Sequence, residues 1–275
     1  MKLAYAATEG AAHGEGHSVG DAILHHVQDT DVFDLWPLGH IPLPKIHLLG
    51  IDFSITKYVV MMWIASALLI IIFARAFRRP PAVPSGTSNF LEAIVVFLRD
   101  EVILPAMGEE GKRYAPFLFT VFFFILFCNL LGLVPYGGTA TGNVTVTAAL
   151  ALIALAMIQV SGIKQHGLIP HLQNLVPHGI PLWLLPIMIP VEIMGQFTKP
   201  FALCIRLFAN MIAGHIVIFS FLGLIFIFES ILVSPISVAF ALFISLLEIF
   251  IAFLQAYIFT MLTSLFMGMS IHPQH

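Results

Sequence analysis

Charge is what this chain has least of. Charged residues make up 10% of it against 59% hydrophobic ones, with a mean hydropathy of +0.97, whereas soluble domains carry about a quarter charged residues. A water-soluble fold is excluded, and no nucleic-acid partner is expected of a chain so short of Lys and Arg. The net charge of -3 says little where most of the chain is hidden from water. Cysteine is scarce too, at two residues: Cys128 and Cys204 both lie in apolar segments, match no metal or redox spacing, and read as small core residues. H-E-x-x-H, G-x-S-x-G and phosphate-loop motifs are missing, so no catalytic residue, cofactor or metal is expected. The N-terminal MKLAYAATEGAAHGEGH has no apolar h-region and more acid than arginine, which argues against a cleaved signal and a mitochondrial transit peptide. No internal repeat relates the two halves of the chain.

What is present is a succession of apolar runs, three of them near the roughly 20 residues that a helix needs to cross a bilayer and two much longer. They predict an all-α integral membrane protein of about five transmembrane helices and one interfacial helix, the last two transmembrane helices long, tilted and antiparallel. Residues 1-56, polar, broken by prolines and holding six histidines, read as an extramembrane tail, and 57-275 as the membrane domain. His13, His17, His25 and His26 in the tail read as solvated rather than as a metal site. Spans are expected at 57-74, 116-134, 144-163, 181-228 and 236-270. An interfacial helix is expected at 89-104, where charges interrupt the apolar run and Asn89 and Glu92 have the spacing of a capping pair. Arg75, Arg78 and Arg79 directly after the first span, and Lys112 and Arg113 before the second, mark the cytoplasmic side. The N-terminus is then outside and, after five crossings, the C-terminus inside. PYGGTATGN reads as a turn-rich outer loop and KQHGLIPHLQNLVPHG as an inner loop with solvated or interfacial histidines. As one helix 181-228 would be roughly 70 Å long, over twice a hydrocarbon core of about 30 Å, so it must tilt, bend at Pro200 or lie partly flat.

Against this background KPFALCIRLFANMIAGH, residues 199-215, is out of place. At about 100° per residue Glu192, Lys199, Arg206 and Asn210 fall within roughly 40° of one another, while His215 lies about 180° from Arg206. Glu248 and Gln255, seven residues apart, share a face of the last helix. Folding the two helices about a turn near Leu232 in FESILVSPIS places His215 opposite Glu248 and Arg206 near the level of Gln255. Taken singly, Asn210 and Gln255 are more often helix-packing contacts, Lys199 snorkels to the cytoplasmic interface, and Glu229 sits solvated at the turn. Glu192, Arg206, His215 and Glu248 resist that reading, because ionisable groups within membranes face bundle interiors or aqueous cavities and mark ion paths. Arg206 has no carboxylate one turn away on its own helix, so its partner is expected from another chain. A secondary ion-coupled transporter with a charged midplane site is the alternative, since broken helices with buried charge also suit a substrate.

The arginine stretch, with R-L-x-x-N-x-x-x-G, together with LEIFIAFLQAYIFTMLTSLF, resembles the a subunit of the membrane sector of F-type ATP synthases. FCNLLGLVP and GNVTVTAALAL are similar to further segments of that family, so the likeness runs from about Lys57 to the C-terminus. The resemblance implies a proton-translocating stator whose two long helices lie tilted against a rotating ring of c subunits. It implies that Arg206 faces the ring's carboxylates and separates two half-channels, with Asn210 and Gln255 close to it. Glu192 would lie on the cytoplasmic side and His215 with Glu248 along the outer half-channel. It further implies a peripheral stalk of b subunits, the remainder of the synthase, a multi-pass place in a bacterial plasma membrane, and no chemistry in this chain alone. Two departures stand out: many bacterial relatives carry a carboxylate where His215 stands and a histidine where Glu248 stands, and an acid that some carry at Gly132 is absent.

Overall fold

The structure, a computed structural model, describes residues 32-35, 39-42, 47-48, 51-52, 56-78, 86-134, 138-173, 185-228 and 234-272. The tail histidines His13, His17, His25 and His26, Arg79, and the turn around Leu232 lie outside the described residues. In the N-terminal segment two short antiparallel hairpins form, β1 (Val32–Leu35) with β2 (Gly39–Pro42) and β3 (His47–Leu48) with β4 (Ile51–Asp52). Everything described beyond residue 55 is helix and connection. The chain is an all-α integral membrane protein, with five helical stretches long and apolar enough to cross a membrane.

The first is α1 (Lys57–Phe77), with Arg75 in its last turn. Trp63, Ile70 and Ile71 point outward from it, an arrangement that is costly in water and favourable against lipid. The second stretch is composite. It opens with α2 (Thr87–Phe97), which starts after Gly86 at φ 61 and has no side-chain cap bond. The expected Asn89 and Glu92 capping pair is therefore wrong: the left-handed glycine sets the boundary two residues earlier. Helix continues through a π-helical turn, Leu98–Ile103, which turns Leu98, Val102 and Ile103 inward and leaves Arg99 and Asp100 paired outside at 2.7 Å. The short α3 (Leu104–Met107), a 3-10 turn at Gly108–Glu110 and α4 (Gly111–Gly132) complete it.

Next come α5 (Val144–His166) and, after Gly167 at φ 85, the short α6 (Leu168–Gln173). The last two helices are α7 (Leu185–Phe228), 44 residues or about 66 Å, and α8 (Ser234–Ile271), 38 residues or about 57 Å. Both exceed an upright crossing. Helix α7 keeps its helical run through Pro190 and Pro200, each of which removes one backbone donor.

The described chain divides into two compact units. One takes in the start of α1, Cys128–Asn143 and Phe208–Phe253; the other takes in Ile64–Phe127, Val144–Leu207 and Leu254–His275. The second has an apolar core of Ile103, Met107, Leu118, Ile158, Met267 and Ile271. Close approach requires Gly268 there, since a Cβ would overlap the Ala106 carbonyl oxygen and come within 2.9 Å of its carbon. The interior of the first is different in kind: Asn129, Thr139, Thr141 and Glu248 are buried with Met211 and Ala252.

Candidate functional site

In the unit that holds Arg206, this side chain is exposed on α7 and lines a groove of about 660 Å³ with Val191, Met194, Leu203, Leu262 and Phe266. Among the described residues no carboxylate pairs with it. A guanidinium thus stands in an apolar groove without a counter-ion among the described residues. Lys199, on the same groove, holds its Nζ 5.1 Å from the Phe266 ring centroid, a cation-π contact in place of plain snorkelling. Gln255 is 2% exposed. Asn210 is exposed on α7; Glu192 lies on the same helix, its side chain outside the described residues.

The inner loop corrects an expectation. His171 is 7% exposed and hydrogen-bonded through Nε2 to Gln159 Oε1 at 2.8 Å, and His166 Nε2 meets the Ile271 carbonyl at 2.7 Å. His171 packs against α5, and His166, the last residue of α5, meets α8, so of the solvated and interfacial readings the solvated one is set aside. Gly162 makes room, since a Cβ there would overlap Ser270 Oγ and the His171 ring. Burial, and secondarily the nearby His166, holds the His171 pKa below its ordinary 6.5. Gln159 in turn reaches Gln196 on α7 at 3.5 Å.

In the other unit the structure brings His215 and Glu248 together. His215 Nδ1 lies 2.7 Å from Glu248 Oε1 and 3.0 Å from the Met211 carbonyl, one turn back on α7. The carboxylate lies off the line of the ring N–H, so the pair is close without being a linear hydrogen bond, and neither Glu248 oxygen receives a hydrogen bond among the described residues. At 1% exposure that is a buried acid set against a histidine, and ionisable groups so placed within a membrane protein mark functional sites more often than packing. Gly214 lets α8 approach, since a Cβ there would come within 2.9 Å of Glu248 Cδ. The two helices also stack Phe221 on Phe240, centroids 5.3 Å apart.

Three residues of this cluster were not singled out from the sequence. Thr139 Oγ1 lies 2.9 Å from His215 Nε2. Thr141 donates to Asn129 Oδ1 at 2.5 Å, and Asn129 Nδ2 reaches the Ala252 carbonyl, one turn beyond Glu248, at 3.5 Å. The signal available was a polar residue inside an apolar span, Asn129, followed by hydroxyls in GGTATGN. Both cysteines are buried, and Cys204 Sγ meets Thr147 Oγ1 at 3.4 Å, a packing role. Among the described residues no group of three His, Cys, Asp or Glu side chains could hold a metal ion.

Comparison with known proteins gives this geometry its context. The model of the ATP synthase A chain family matches residues 59–268. The chain is 52% identical to ATP synthase subunit a of Chloroherpeton thalassium over 259 residues, covering 92% of this chain and 77% of that one. It is 50% identical to ATP synthase subunit a of Pelodictyon phaeoclathratiforme over 281 residues, covering 99% and 82%. A more distant relative, ATP synthase subunit a of Anaeromyxobacter dehalogenans, is 47% identical over 280 residues, covering 94% and 73%. With its apolar helices, its groove arginine and its buried His–Glu pair, the chain belongs to the ATP synthase A chain family.

Proposed function

We propose that this chain is the proton-translocating stator of an F-type ATP synthase in a bacterial plasma membrane, and that the Arg206 face of α7 meets the carboxylates of a c-subunit ring. Family membership supports the coarse reading. The observation that carries the finer one is Arg206 itself, exposed in an apolar groove with no carboxylate partner among the described residues. A cation so placed in a membrane is expensive unless an anion arrives from outside the chain.

In the proposed cycle a rotor carboxylate, drawn towards its charged form by the guanidinium, releases its proton on one side of Arg206. It accepts another on the other side, and in neutral form travels through lipid, where a charged group is costly. Arg206 blocks direct proton passage, since it stays charged where a buried lysine can lose its proton. His215 and Glu248 together serve the outer access route. Glu192 belongs to the inner route, Asn210 and Gln255 to the neighbourhood of the arginine, and a b-subunit stalk holds the stator against the ring.

The test is Arg206→Ala in the complete synthase, reconstituted in vesicles. ATP-driven pumping and coupled synthesis are expected to vanish while passive proton leak through the membrane sector persists. Arg206→Lys is expected to fail largely as well. Normal pumping by the alanine variant overturns the reading.

A further inference from the structure

His215 is read above as a relay, and a relay works only if each ring nitrogen has a partner suited to the proton it holds. Nδ1 has Glu248 Oε1 and the Met211 carbonyl; Nε2 has Thr139 Oγ1 at 2.9 Å and the Gly132 carbonyl at 3.2 Å. Among the described residues Glu248 is the one charged group that meets the ring. Carbonyls and carboxylates accept only, whereas a hydroxyl both donates and accepts. When the ring carries its proton on Nδ1, towards Glu248, Nε2 is a bare acceptor, and of its two neighbours only Thr139 has a proton to offer. When Nε2 is protonated, the same hydroxyl or the Gly132 carbonyl accepts from it.

Take the hydroxyl away and the balance changes. A bare Nε2 would then face only the Gly132 carbonyl lone pairs, so the neutral ring protonated on Nδ1, the form that can pass a proton to Glu248, loses its one donor partner.

The position of the hydroxyl depends on the glycine opposite. A Cβ at Gly132 would overlap Thr139 Oγ1 and lie 2.6 Å from Thr139 Cβ and 2.8 Å from its Cα. Side chains at 132 and 139 therefore exclude each other. Thr139 is itself fixed: it is 6% exposed, and its carbonyl accepts from Gly142 N at 2.8 Å across the 3-10 turn Ala140–Gly142. That turn is tied by Thr141 to Asn129, and by Asn129 to α8 beside Glu248.

We propose that Thr139 is a positioning residue for the His215–Glu248 pair: its hydroxyl occupies the space left by the missing side chain at Gly132 and keeps His215 Nδ1 available to Glu248. The inference rests on the relay reading of His215. It explains why the chain has a glycine at 132, without appealing to an acid there.

The experiment uses the complete synthase in vesicles, with ATP-driven proton pumping followed as a function of pH. Thr139→Val keeps the volume and removes the hydroxyl. Losing one partner of a buried polar group lowers a rate by about tenfold, and the pH profile should move with it, a readout that a packing role would not change. Thr139→Ser restores the hydroxyl and should recover most of the pumping and the original profile. Gly132→Ala, which crowds the hydroxyl out of place, should reproduce the valine phenotype, and it keeps the proposal testable if Thr139→Val does not assemble. His215→Ala separates the two failures. If it stops pumping while Thr139→Val and Gly132→Ala match the parent in rate and profile, the positioning role falls and the relay stands. If His215→Ala pumps normally, the relay reading falls and this inference with it.

Discussion

Glu248 and His215 each make sense only with the other. The acid is buried beside one basic group, and that group's Nδ1 is shared between the acid and a backbone carbonyl. If the two act as one relay, removing either already breaks it, so their effects should be strongly non-additive. Proton flux measured for the parent, His215→Ala, Glu248→Gln and the double variant, at matched subunit levels, should show the double no more than about twofold worse than the poorer single. Independent multiplicative losses would mean that they do not act together. Both residues were legible in the sequence because an ionisable group inside an apolar run is expensive and therefore conspicuous. Counting along two antiparallel helices even paired them. Thr139 was not legible: a threonine in a glycine-rich loop is ordinary, and what distinguishes it is a partner 76 residues away. Gly132 was noted only for the acid it lacks, because the volume it vacates has no signature in a one-dimensional reading.

At the scale of elements, α6 shows how a short helix is held. Six residues cannot sustain an isolated helix, so α6 depends on His171, packed into the space at Gly162 and bonded to Gln159 on α5. The sequence makes this loop's histidines solvated or interfacial, since nothing in KQHGLIPHLQ tells a docked imidazole from a free one. The docked form is neutral. Because the folded-state pKa is lowered by burial and by His166, the stabilisation is fully present above the ordinary value of 6.5 and is lost as pH falls through the lower folded value. Hydrogen exchange of the 168–173 amides, corrected for intrinsic rates, should therefore lose protection as pH is lowered from about 7 to about 5. In His171→Leu that pH dependence should flatten. Protection that is independent of pH in the parent would show that His171 does not clip α6. The composite stretch from Thr87 to Gly132 was also only partly legible: its charges suggested an interfacial helix, but not the π-helical turn that keeps Arg99 and Asp100 outside while burying three neighbours.

At the scale of the whole molecule, the apolar runs give five stretches that can cross a bilayer, and each crossing places the segments it joins on opposite sides. Basic residues at the end of α1 and in the first turn of α4 point to a cytoplasmic side there, which predicts a particular labelling pattern. Val134, 52% exposed just after α4, should be outside; Leu168, 58% exposed just after α5, should be inside, as should His272 after α8. The native thiols Cys128 and Cys204 are buried, so a membrane-impermeant maleimide has little to react with in the parent, and single cysteines can be introduced without removing them. Val134→Cys should then label in right-side-out vesicles, and Leu168→Cys and His272→Cys in inverted ones. The comparison separates two errors. If Val134→Cys and Leu168→Cys label from the same side, α5 does not cross and the five-span count is wrong. If they label from opposite sides but each from the side not expected, the count stands and the orientation is reversed. In that case the access route proposed for His215 and Glu248 would open to the cytoplasm, and the proposed inner and outer routes would exchange sides.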